Sequence, residues 1–303
     1  MEEEKMQDPG FGAKYYRPSG RMINKDGSFN VKRTGVSPFI NGYQFLIDIK
    51  LVYFFGIILF LFVLFNLFFA AIYFGLGKGN FKGIGDDYTF LDVFFFSAQT
   101  LTTVGYGAIT PSSILSNFIS SFEAFIGLLF FAMATGLLYG RFSKPNAKIK
   151  YSDKILVSPY QEGRALMFRI VNARSTQLSD MKVRVIYSFM EKENGEYNRN
   201  YFNLNLVRDT VMFFPLSWTL VHVLDDESPF KPYSLEELHQ KSTELMILVT
   251  GYDDTFDQIV TSRYSYTSSE IELNATFDRI FQSKEDGIVV IEVDKVGDFT
   301  SVS

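Results

Sequence analysis

Five consecutive residues near the middle of the chain, Thr103 to Gly107 (Thr-Val-Gly-Tyr-Gly), have the composition needed to bind a cation that has lost its water shell. Such a cation needs oxygen ligands, and backbone carbonyls provide them when an extended chain turns them all toward one axis. Glycine reaches the necessary backbone angles at low cost, and Thr103 adds a hydroxyl below the carbonyl oxygens. We therefore predict cation ligands from Thr103, Val104, Gly105 and Tyr106. A single loop cannot enclose an ion, so four copies around an axis, and hence a homotetramer, are expected.

The segment lies between two apolar runs that are long enough to cross a membrane. The first, Val52 to Tyr73, is broken only by Asn66, and about twenty residues with a rise of about 1.5 Å each span a hydrocarbon layer of about 30 Å. That length disfavours the alternative, a buried helix of a soluble protein. The second run, Ile114 to Tyr139, has one less apolar face, which is expected to meet other helices or water instead of lipid. Three residues are responsible for this face: Glu123, Gly127 and Gly136.

The connector between the two runs is expected to contain a short re-entrant helix. It begins with closely spaced glycines, which cannot hold regular structure cheaply; they are Gly75, Gly77, Gly79, Gly83 and Gly85. The apolar stretch that follows, Phe90 to Gln99, has about ten residues, which is too few to span a membrane. We predict a pore helix over about residues 89–101, with Asp86 or Asp87 as its cap. Its C-terminal end carries the negative pole of the helix dipole, which favours a nearby cation.

Basic residues flank both apolar runs on the side away from the connector, which predicts that both termini are cytoplasmic. They are Lys32, Arg33 and Lys50 before the first run, and Arg141, Lys144, Lys148 and Lys150 after the second. We predict a pore domain of residues 51–141, with an outer helix over about 51–75 and an inner helix over about 114–141. Residues 1–37 are polar and are expected to form a cytoplasmic arm. Residues 38–50 mix apolar with polar side chains, which predicts an interfacial slide helix; an ordinary turn is the alternative.

The second half of the chain, residues 142–303, has the pattern of a soluble β domain. Short alternating runs are separated by Gly, Asn, Asp and Pro, which is typical of a β-sandwich. The predicted strands include Ala165–Val171, Lys182–Phe189, Glu244–Thr250, Ser262–Tyr266 and Ile288–Val293. A short helix is predicted over Ser234–Gln240, with Ser234 as its cap and Glu237 three residues on. The predicted fold class is therefore a helical membrane pore followed by an all-β cytoplasmic sandwich.

The composition excludes several classes of protein. The chain has no cysteine, which rules out disulfides, thiol nucleophiles and cysteine metal sites. Two histidines are too few for most zinc sites, and a net charge of -5 argues against a nucleic-acid partner. We find no Ser-centred nucleophile motif, no phosphate loop and no Arg-rich voltage-sensor helix, so catalysis, a cofactor and voltage gating are not predicted. His222, near Trp218, is expected to be a satisfied core histidine. The competing class is a membrane-anchored receptor or enzyme whose working part is the β domain.

Four stretches outside the filter-like segment carry a family resemblance. They are Arg21–Gly27 (Arg-Met-Ile-Asn-Lys-Asp-Gly), Ala134–Pro145 at the end of the second run, Leu216–Pro229 with Ser-Trp-Thr and His222, and Thr250–Asp254 (Thr-Gly-Tyr-Asp-Asp). Together with Thr103–Gly107, they resemble the inward-rectifier potassium channel family, and specifically its prokaryotic, KirBac-type branch. The resemblance extends from about Arg21 to Val293.

This resemblance implies an immunoglobulin-like cytoplasmic sandwich, four copies of which extend the pore as a vestibule. It places a hydrophobic gate at Tyr139, where four rings near the axis exclude water; a membrane-interface tyrosine is the alternative. It also places Gly127 at the hinge of the inner helix, with close helix packing as the alternative. The cavity position that is acidic in strongly rectifying members is Phe131 here. Block by polyamines or Mg²⁺ is therefore expected to be weak.

The resemblance further implies acidic residues in the vestibule and basic residues at the membrane. Asp180 and Asp254 fall where the family places pore-facing carboxylates, which concentrate cations; solvated turn residues are the alternative. Basic residues below the inner helix attract anionic lipids or phosphoinositides, at about 1 kcal/mol each, and plain positive-inside topology is the alternative. The predicted lipid-binding residues are Lys50, Arg141, Lys144 and Lys148. The expected location is the plasma (inner) membrane, the expected permeant ion is K⁺, and no other cofactor is expected.

Overall fold

In the computed structural model, the chain forms two compact units. One unit is Thr34–Lys144, and the other combines Met1–Arg33 with Pro145–Ser303. The structure describes residues 8–12, 21–32, 34–35, 42–85, 87–143, 147–174, 176–193, 196–230, 234, 237–238, 241–284 and 286–302. Several predicted features lie wholly or partly outside these residues: the arm of residues 1–37, the start of the slide helix at 38–41, Asp86, Lys144 and most of Ser234–Gln240.

The first unit is helical. Its helices are α1 (Gly42–Asp48), α2 (Leu51–Leu76), α3 (Phe90–Leu101) and α4 (Ile114–Phe142). Two short strands, β1 (Phe81–Lys82) and β2 (Thr110–Pro111), lie on either side of α3 in the chain. Among the described residues, α2 and α4 are the helices long and apolar enough to cross a membrane. The predicted pair of membrane helices is thereby confirmed. Ile49 and Lys50, placed in the slide helix by the sequence, lie between α1 and α2.

Reciprocal caps fix where α3 and α4 begin. Before α3, the Thr89 hydroxyl accepts a hydrogen bond from the Asp92 amide at 3.3 Å, and the Asp92 carboxylate accepts one from the Thr89 amide at 2.9 Å. Ser113 and Ser116 form the same arrangement before α4. The assignment of the α3 cap to Asp86 or Asp87 is therefore wrong. Thr89 with an acid three residues on forms a complete capping box, which satisfies two of the free amides at the start of the helix.

Aromatic packing holds α3 against α2. Phe69 and Tyr73 of α2 lie in one buried cluster with Phe81, Val93 and Phe96. The ring centroids of Tyr73 and Phe96 are 5.1 Å apart in an edge-to-face arrangement. Burying one such side chain completely stabilises the fold by about 1.5–3 kcal/mol, so this cluster fixes the position of α3. Only five of the 26 residues of α2 are buried, as expected for a helix that faces lipid.

The connector after α2 pairs with the segment that follows α3. β1 pairs antiparallel with β2, so that Phe81 lies opposite Pro111 and Lys82 opposite Thr110. Beside this pair, Gly83 has a φ of +88°, and a Cβ at this position would lie 1.7 Å from the Ala108 carbonyl oxygen. Only glycine fits such an approach of two backbones. Gly83 therefore allows the connector to meet the chain directly after residue 107.

The second unit is a β-sandwich, which confirms the prediction. Its strands are β3 (Ile149–Tyr151), β4 (Ile155–Tyr160), β5 (Gly163–Asn172), β6 (Leu178–Glu193), β7 (Glu196–Leu204), β8 (Thr210–Phe213), β9 (Ser217–Val223), β10 (Glu244–Asp253), β11 (Gln258–Thr267), β12 (Ile271–Leu273), β13 (Ala275–Phe277), β14 (Phe281–Ser283), β15 (Val289–Ile291) and β16 (Phe299–Ser301). One sheet has the order β11-β10-β6-β7, with β8 also on β6. The other has the order β12-β4-β5-β3, with β9 also on β5. Four predicted strands lie inside observed ones. The fifth, Ile288–Val293, exceeds β15 at both ends, and a 3₁₀ turn begins at its last residue, Val293.

The two sheets share one apolar core. Inward side chains of β4 and β5 meet those of β6, β10 and β11 in a continuous buried cluster. Across the sheets, Tyr151 stacks on Tyr264 with ring centroids 4.3 Å apart. The buried Tyr266 hydroxyl donates a hydrogen bond to the Ser152 carbonyl oxygen at 2.7 Å. The hydroxyls of Tyr266 and of Tyr151, which donates to the Ser262 hydroxyl at 2.9 Å, are therefore satisfied, as buried hydroxyls require.

Part of the N-terminal arm completes this β unit. Glu244, at the start of β10, is buried, and its carboxylate accepts hydrogen bonds from the Met22 and Ile23 amides at 2.8–3.2 Å. Met22 and Ile23 are themselves buried, in a small cluster with Tyr201 and Met246. Without these amides the buried carboxylate would keep its ion pair with Arg199 at 4.0 Å but would lose the hydrogen bonds that its oxygens accept, and a buried charge short of hydrogen bonds costs several kcal/mol. The arm is therefore an integral part of the β unit.

A second acid holds the same arm through ion pairs. Glu270 is bound by Lys25 at 2.8 Å and by Arg21. Burial by itself would raise the pKa of Glu270, but hydrogen bonds from Lys25, the Thr267 amide and Arg21 outweigh it and hold this pKa below its ordinary value. The contribution of Glu270 to docking is therefore complete above the ordinary glutamate pKa of about 4.3, and it is lost as the pH falls through the lower folded value.

We expect Glu270→Gln to loosen the docked arm. Loss of one charge-assisted contact corresponds to about 1.5 kcal/mol, or roughly a tenfold loss of protection from hydrogen exchange at the Met22 and Ile23 amides. The loss of protection on acidification below about pH 4.3 should also be smaller in this variant. Glu272→Gln is the control, since it removes an acid two residues away whose contact with Lys154 is longer, at 3.6 Å, and more exposed. Wild-type protection in Glu270→Gln would contradict this account.

Candidate functional site

The segment that follows α3 is anchored to the end of that helix by its amides. The Thr103 amide donates to the Thr100 carbonyl at 3.0 Å. The Val104 and Gly105 amides both donate to the Gln99 carbonyl, at 2.9 and 3.3 Å. These bonds use carbonyl groups that the C-terminus of a helix leaves unpaired. They hold the start of the segment in place and occupy its donors, while its own carbonyl groups stay available.

The backbone of this segment alternates in handedness. Thr103, Gly105 and Gly107 have φ angles of +59°, +54° and +79°, and the intervening Val104 and Tyr106 are not among the residues with positive φ. In an ordinary strand successive carbonyls point to opposite sides, and reversing the sign of φ at every second residue brings them toward one side. Within the described residues, no backbone amide donates to the carbonyl oxygens of residues 103–106. The segment therefore presents a row of carbonyl oxygens that accept no backbone hydrogen bond from the described residues.

Thr103 is the least expected residue in this arrangement. A β-branched residue with positive φ is a steric outlier and costs about 1–3 kcal/mol. Such a conformation persists only where its surroundings impose it, and here the hydrogen bonds of the Thr103 and Val104 amides do so. Strain of this kind concentrates at functional sites, and the sequence gives no sign of it.

On the single chain the segment lies at the surface. The Tyr106 side chain is 79% exposed and the Val104 side chain is 52% exposed. The predicted ligands are uncharged carbonyl oxygens together with the Thr103 hydroxyl, which is the set that replaces the hydration shell of a K⁺ ion in potassium filters. The residues present therefore fit the predicted cation. The predicted fourfold arrangement would bury the exposed side chains of this segment.

α4 contacts the end of α3 at a glycine. A Cβ on Gly127 would lie 2.0 Å from the Leu101 carbonyl oxygen and 2.9 Å from the Leu101 carbonyl carbon. Side chains do not approach a backbone this closely, so the contact requires glycine, as at other close helix crossings in membranes. Gly136, in the same helix, has nothing within 4 Å of such a Cβ. The structure thus supplies the packing reason for Gly127, while its role as a hinge stays a prediction.

The side chains predicted to form the cavity and the gate are exposed on the single chain. Phe131 is 45% exposed and Tyr139 is 74% exposed. Both lie on α4 beyond the glycine that contacts α3, and eight residues of helix place them about 80° apart around the axis. They are therefore available to face a pore or other copies of the chain, as their predicted roles require.

The two predicted vestibule acids lie close together in the β unit. Asp254 is exposed, and its carboxylate accepts a hydrogen bond from the Ser179 hydroxyl at 3.0 Å. Asp180 is the next residue after Ser179 and has a φ of +47°, beside an irregularity in the pairing of β6 with β10. The neighbouring Asp253 differs, because it is buried and accepts the Thr255 amide at 3.0 Å within its own turn. Asp180 and Asp254 are thus exposed on the single chain, whereas Asp253 is not.

Of the predicted lipid-binding residues that the structure describes, Arg141 has the most specific partners. Its guanidinium donates to the carbonyl oxygens of Leu46 and Ile49 at the end of α1, and it lies over the Phe54 ring, 4.9 Å from the centroid. A cation at the C-terminus of a helix complements the helix dipole. Arg141 therefore holds α1 against the end of α4, a role that the sequence did not reveal. Of the other predicted lipid contacts, Lys50 and Lys148 are exposed and Lys144 lies outside the described residues.

Glu123, for which the sequence suggested no role, has specific partners. Its carboxyl group is fully buried and lies 2.5 Å from the Tyr73 hydroxyl and 2.5 Å from the Ser97 hydroxyl. The Ser97 hydroxyl also lies 3.0 Å from the side-chain oxygen of Asn66. The one signal in the sequence is that Asn66 and Glu123 interrupt apolar helices, since polar residues in such helices mark specific contacts.

His222 is a satisfied core histidine, which confirms the prediction. Its Nδ1 lies 2.7 Å from the Asn205 carbonyl oxygen and its Nε2 lies 2.9 Å from the Ser228 hydroxyl. Burial lowers the pKa of the imidazole, so the ring is neutral with both nitrogens engaged. In the part of the chain that the structure describes, no group of three His, Asp or Glu side chains has the geometry of a metal site.

Comparison with known proteins agrees with this architecture. Residues 149–303 match the inward rectifier potassium channel C-terminal domain, and residues 49–144 match the ion channel family. The chain is 32% identical over 279 residues to the inward rectifier potassium channel Kirbac3.1 of Paramagnetospirillum magnetotacticum, an alignment that covers 91% of this chain and 94% of that protein. It is 25% identical over 283 residues to the human G protein-activated inward rectifier potassium channel 4, covering 84% of this chain and 67% of that protein. The chain is therefore not an enzyme but a membrane protein that belongs to the inward rectifier potassium channel family.

Proposed function

We propose that this chain is one of four identical subunits of a potassium-selective channel in the plasma membrane, with both termini in the cytoplasm. The observation that carries the proposal is the row of unpaired carbonyl oxygens from Thr103 to Tyr106, oriented by alternating φ angles. Four such rows around an axis surround a K⁺ ion with oxygen ligands in place of water. The similarity to two proteins named as inward rectifier potassium channels supports the same assignment.

Gating is proposed at the end of the inner helix and coupled to the cytoplasmic domain. Four Tyr139 rings near the axis form a constriction that excludes water in the closed state. Arg141 links this end of α4 to the carbonyl end of α1, so a movement of α4 that opens the pore must also move α1. Anionic lipids act on the basic residues at this level by electrostatic attraction; the proposed contacts are Lys50, Arg141, Lys144 and Lys148.

The electrostatics of the pathway favour permeation over strong block. Asp180 and Asp254 are proposed to line the vestibule, where carboxylates raise the local concentration of cations. Phe131 stands at the cavity position and carries no charge to hold a multivalent ion. Internal spermine or Mg²⁺ is therefore expected to block only weakly. Steep, voltage-dependent spermine block that Phe131→Ala alters would contradict this part of the proposal.

We expect Tyr139→Ala to raise the resting K⁺ flux several-fold, because it removes the ring that narrows and dries the pore. Tyr139→Phe keeps the ring and should behave as the wild type. Tyr53→Ala is the matched control, since Tyr53 is also an exposed membrane-helix tyrosine, at 65% exposure. Equal flux in Tyr139→Ala and Tyr53→Ala would assign Tyr139 to the membrane interface instead of the gate.

The experiment that tests the proposed function is reconstitution of the purified protein in lipid vesicles. We expect K⁺ uptake that Ba²⁺ blocks, a much smaller uptake of Na⁺, and a tetramer by native mass spectrometry. Paired vesicles with and without anionic lipid test the lipid coupling, and no difference between them would remove it. Vesicles that stay impermeable to K⁺, or that admit Na⁺ equally well, would refute the channel and favour a membrane-anchored receptor.

A further inference from the structure

A buried chain of four side chains joins the three main helices of the membrane unit. Asn66 and Tyr73 come from α2, Ser97 from α3 and Glu123 from α4, and each of the four residues is 0% exposed. Three oxygen–oxygen contacts connect them: Tyr73 to Glu123 at 2.5 Å, Glu123 to Ser97 at 2.5 Å, and Ser97 to Asn66 at 3.0 Å. The carboxyl group of Glu123 is the junction at which the three helices meet.

The number of protons available to these four side chains determines the protonation state of Glu123. Each of the three contacts needs one proton, and the hydroxyls of Tyr73 and Ser97 provide only two. Asn66 contributes none to these contacts, because its oxygen faces Ser97 while its amide nitrogen donates to the Phe62 carbonyl at 2.7 Å. The third proton must therefore be on Glu123. Tyr73 then donates to Glu123, Glu123 donates to Ser97, and Ser97 donates to Asn66.

The surroundings of Glu123 agree with a neutral carboxyl group. The ion pairs among the described residues do not include Glu123, and its one titratable contact is Tyr73. An ionised carboxylate at this depth without a cation costs far more than a neutral acid with two hydrogen bonds. Burial and the proton count thus both indicate that the Glu123 carboxyl group is neutral.

This buried chain of hydrogen bonds contacts the part of α3 that anchors the row of carbonyl oxygens. Ser97 lies two residues before Gln99, whose carbonyl receives the Val104 and Gly105 amides. Ser97 and Leu101 are one turn apart on α3, and Leu101 is the residue that contacts Gly127. α4 therefore contacts α3 at two successive turns, through a hydrogen bond at Glu123 and through close backbone packing at Gly127. A shift of α3 at Ser97 displaces Gln99 and with it the start of the row.

We propose that Glu123 is a neutral positioning residue, which sets the place of α3, and hence the ion selectivity of the filter, through hydrogen bonds and not through charge. The effect on ion selectivity rests on the proposed function, whereas the protonation state of Glu123 does not. Glutamine has the same shape, a donor for Ser97 and an acceptor for Tyr73. If Glu123 acts without a charge, replacing it with glutamine should therefore preserve its role.

We expect Glu123→Gln to form tetramers and to keep the wild-type preference for K⁺ over Na⁺ in vesicle flux. Glu123→Ala and Ser97→Ala should each lower that preference at least tenfold, and the double variant should be no worse than either single one, because both break the same chain. Ser121→Ala is the control for the loss of a serine hydroxyl in a membrane helix, since among the described residues that hydroxyl bonds to the Asn117 carbonyl of its own helix and to no other helix. Should Glu123→Ala fail to assemble, Ser97→Ala and Tyr73→Phe provide the same comparison.

Infrared spectroscopy of the purified protein tests the protonation state without any flux. We expect a carbonyl band of a neutral carboxylic acid that persists at a pH where exposed acids are ionised and that is absent in Glu123→Gln. A missing band, or a Glu123→Gln tetramer that has lost its K⁺ preference, would overturn the inference. Wild-type selectivity in both Glu123→Ala and Ser97→Ala would overturn the positioning role. Absence of K⁺ flux in the wild type, with the band present, would instead refute only the proposed function.

Discussion

Gly105→Ala should abolish the preference for K⁺ over Na⁺. Gly105 has a φ of +54°, and an L-residue with a side chain pays about 1–2 kcal/mol to adopt this conformation. In the proposed tetramer the strain would be repeated four times around one narrow passage. The backbone can relieve it by returning to negative φ, but this turns a carbonyl oxygen away from the ion. The ion then loses ligands that stood in for water, and selectivity is lost before the fold is.

The control for this experiment is Gly85→Ala. Gly85 lies in the connector before α3, its φ is outside the positive range, and a Cβ there would have nothing within 4 Å. This variant should retain wild-type flux and selectivity, measured as K⁺ and Na⁺ uptake into vesicles. A Gly105→Ala channel that discriminates between the ions as well as the wild type would show that the positive φ at this position is not needed.

Gly127→Ala should disrupt the assembled pore. The new Cβ would lie 2.0 Å from the Leu101 carbonyl oxygen, and a backbone atom cannot rotate out of the way as a flexible side chain can. α4 must therefore separate from α3, and overpacking of this kind costs about 1–3 kcal/mol in each chain. We expect a lower midpoint of thermal unfolding, a lower yield of tetramer and a filter that conducts poorly.

Gly136→Ala separates packing from the general effect of alanine in the same helix. A Cβ at Gly136 meets nothing within 4 Å, and alanine favours the helix by up to about 1 kcal/mol relative to glycine. This control should assemble with a thermal midpoint equal to or above that of the wild type. If Gly127→Ala also assembles normally and only its gating changes, the hinge interpretation is correct and the packing interpretation is not.

The sequence predicted the large features of this protein because each rests on local pattern. The lengths of the two apolar runs give α2 and α4 directly, since a membrane requires about twenty apolar residues in a row. Alternation of apolar and polar residues located most of the central strands, such as β5 and β10. The motif Thr103–Gly107 and its place after a short helix identified the candidate site without any knowledge of packing.

The features that the sequence missed depend on contacts between distant residues. The cap of α3 was assigned to an aspartate because several capping residues lie close together, and only the fold shows that Thr89 pairs with Asp92. The role of Glu123 depends on Tyr73 and Ser97, which are 50 and 26 residues away in the chain. Arg141 was assigned to lipid by its charge, whereas its contacts with α1 arise 95 and 92 residues earlier. No local pattern contains such information.

The attachment of the arm to Glu244 has a consequence for biosynthesis. Met22 is made 222 residues before the acid that binds its amide. At a translation rate of about 5–20 residues per second, the ribosome needs roughly 10–40 s to produce the partner, and both membrane helices must be inserted in that interval. The nascent arm has no complete docking surface during this time, so it is open to proteases and chaperones until the last fifth of the polypeptide is made. Subunits truncated before Glu244 should therefore be recognised by an unprotected N-terminus.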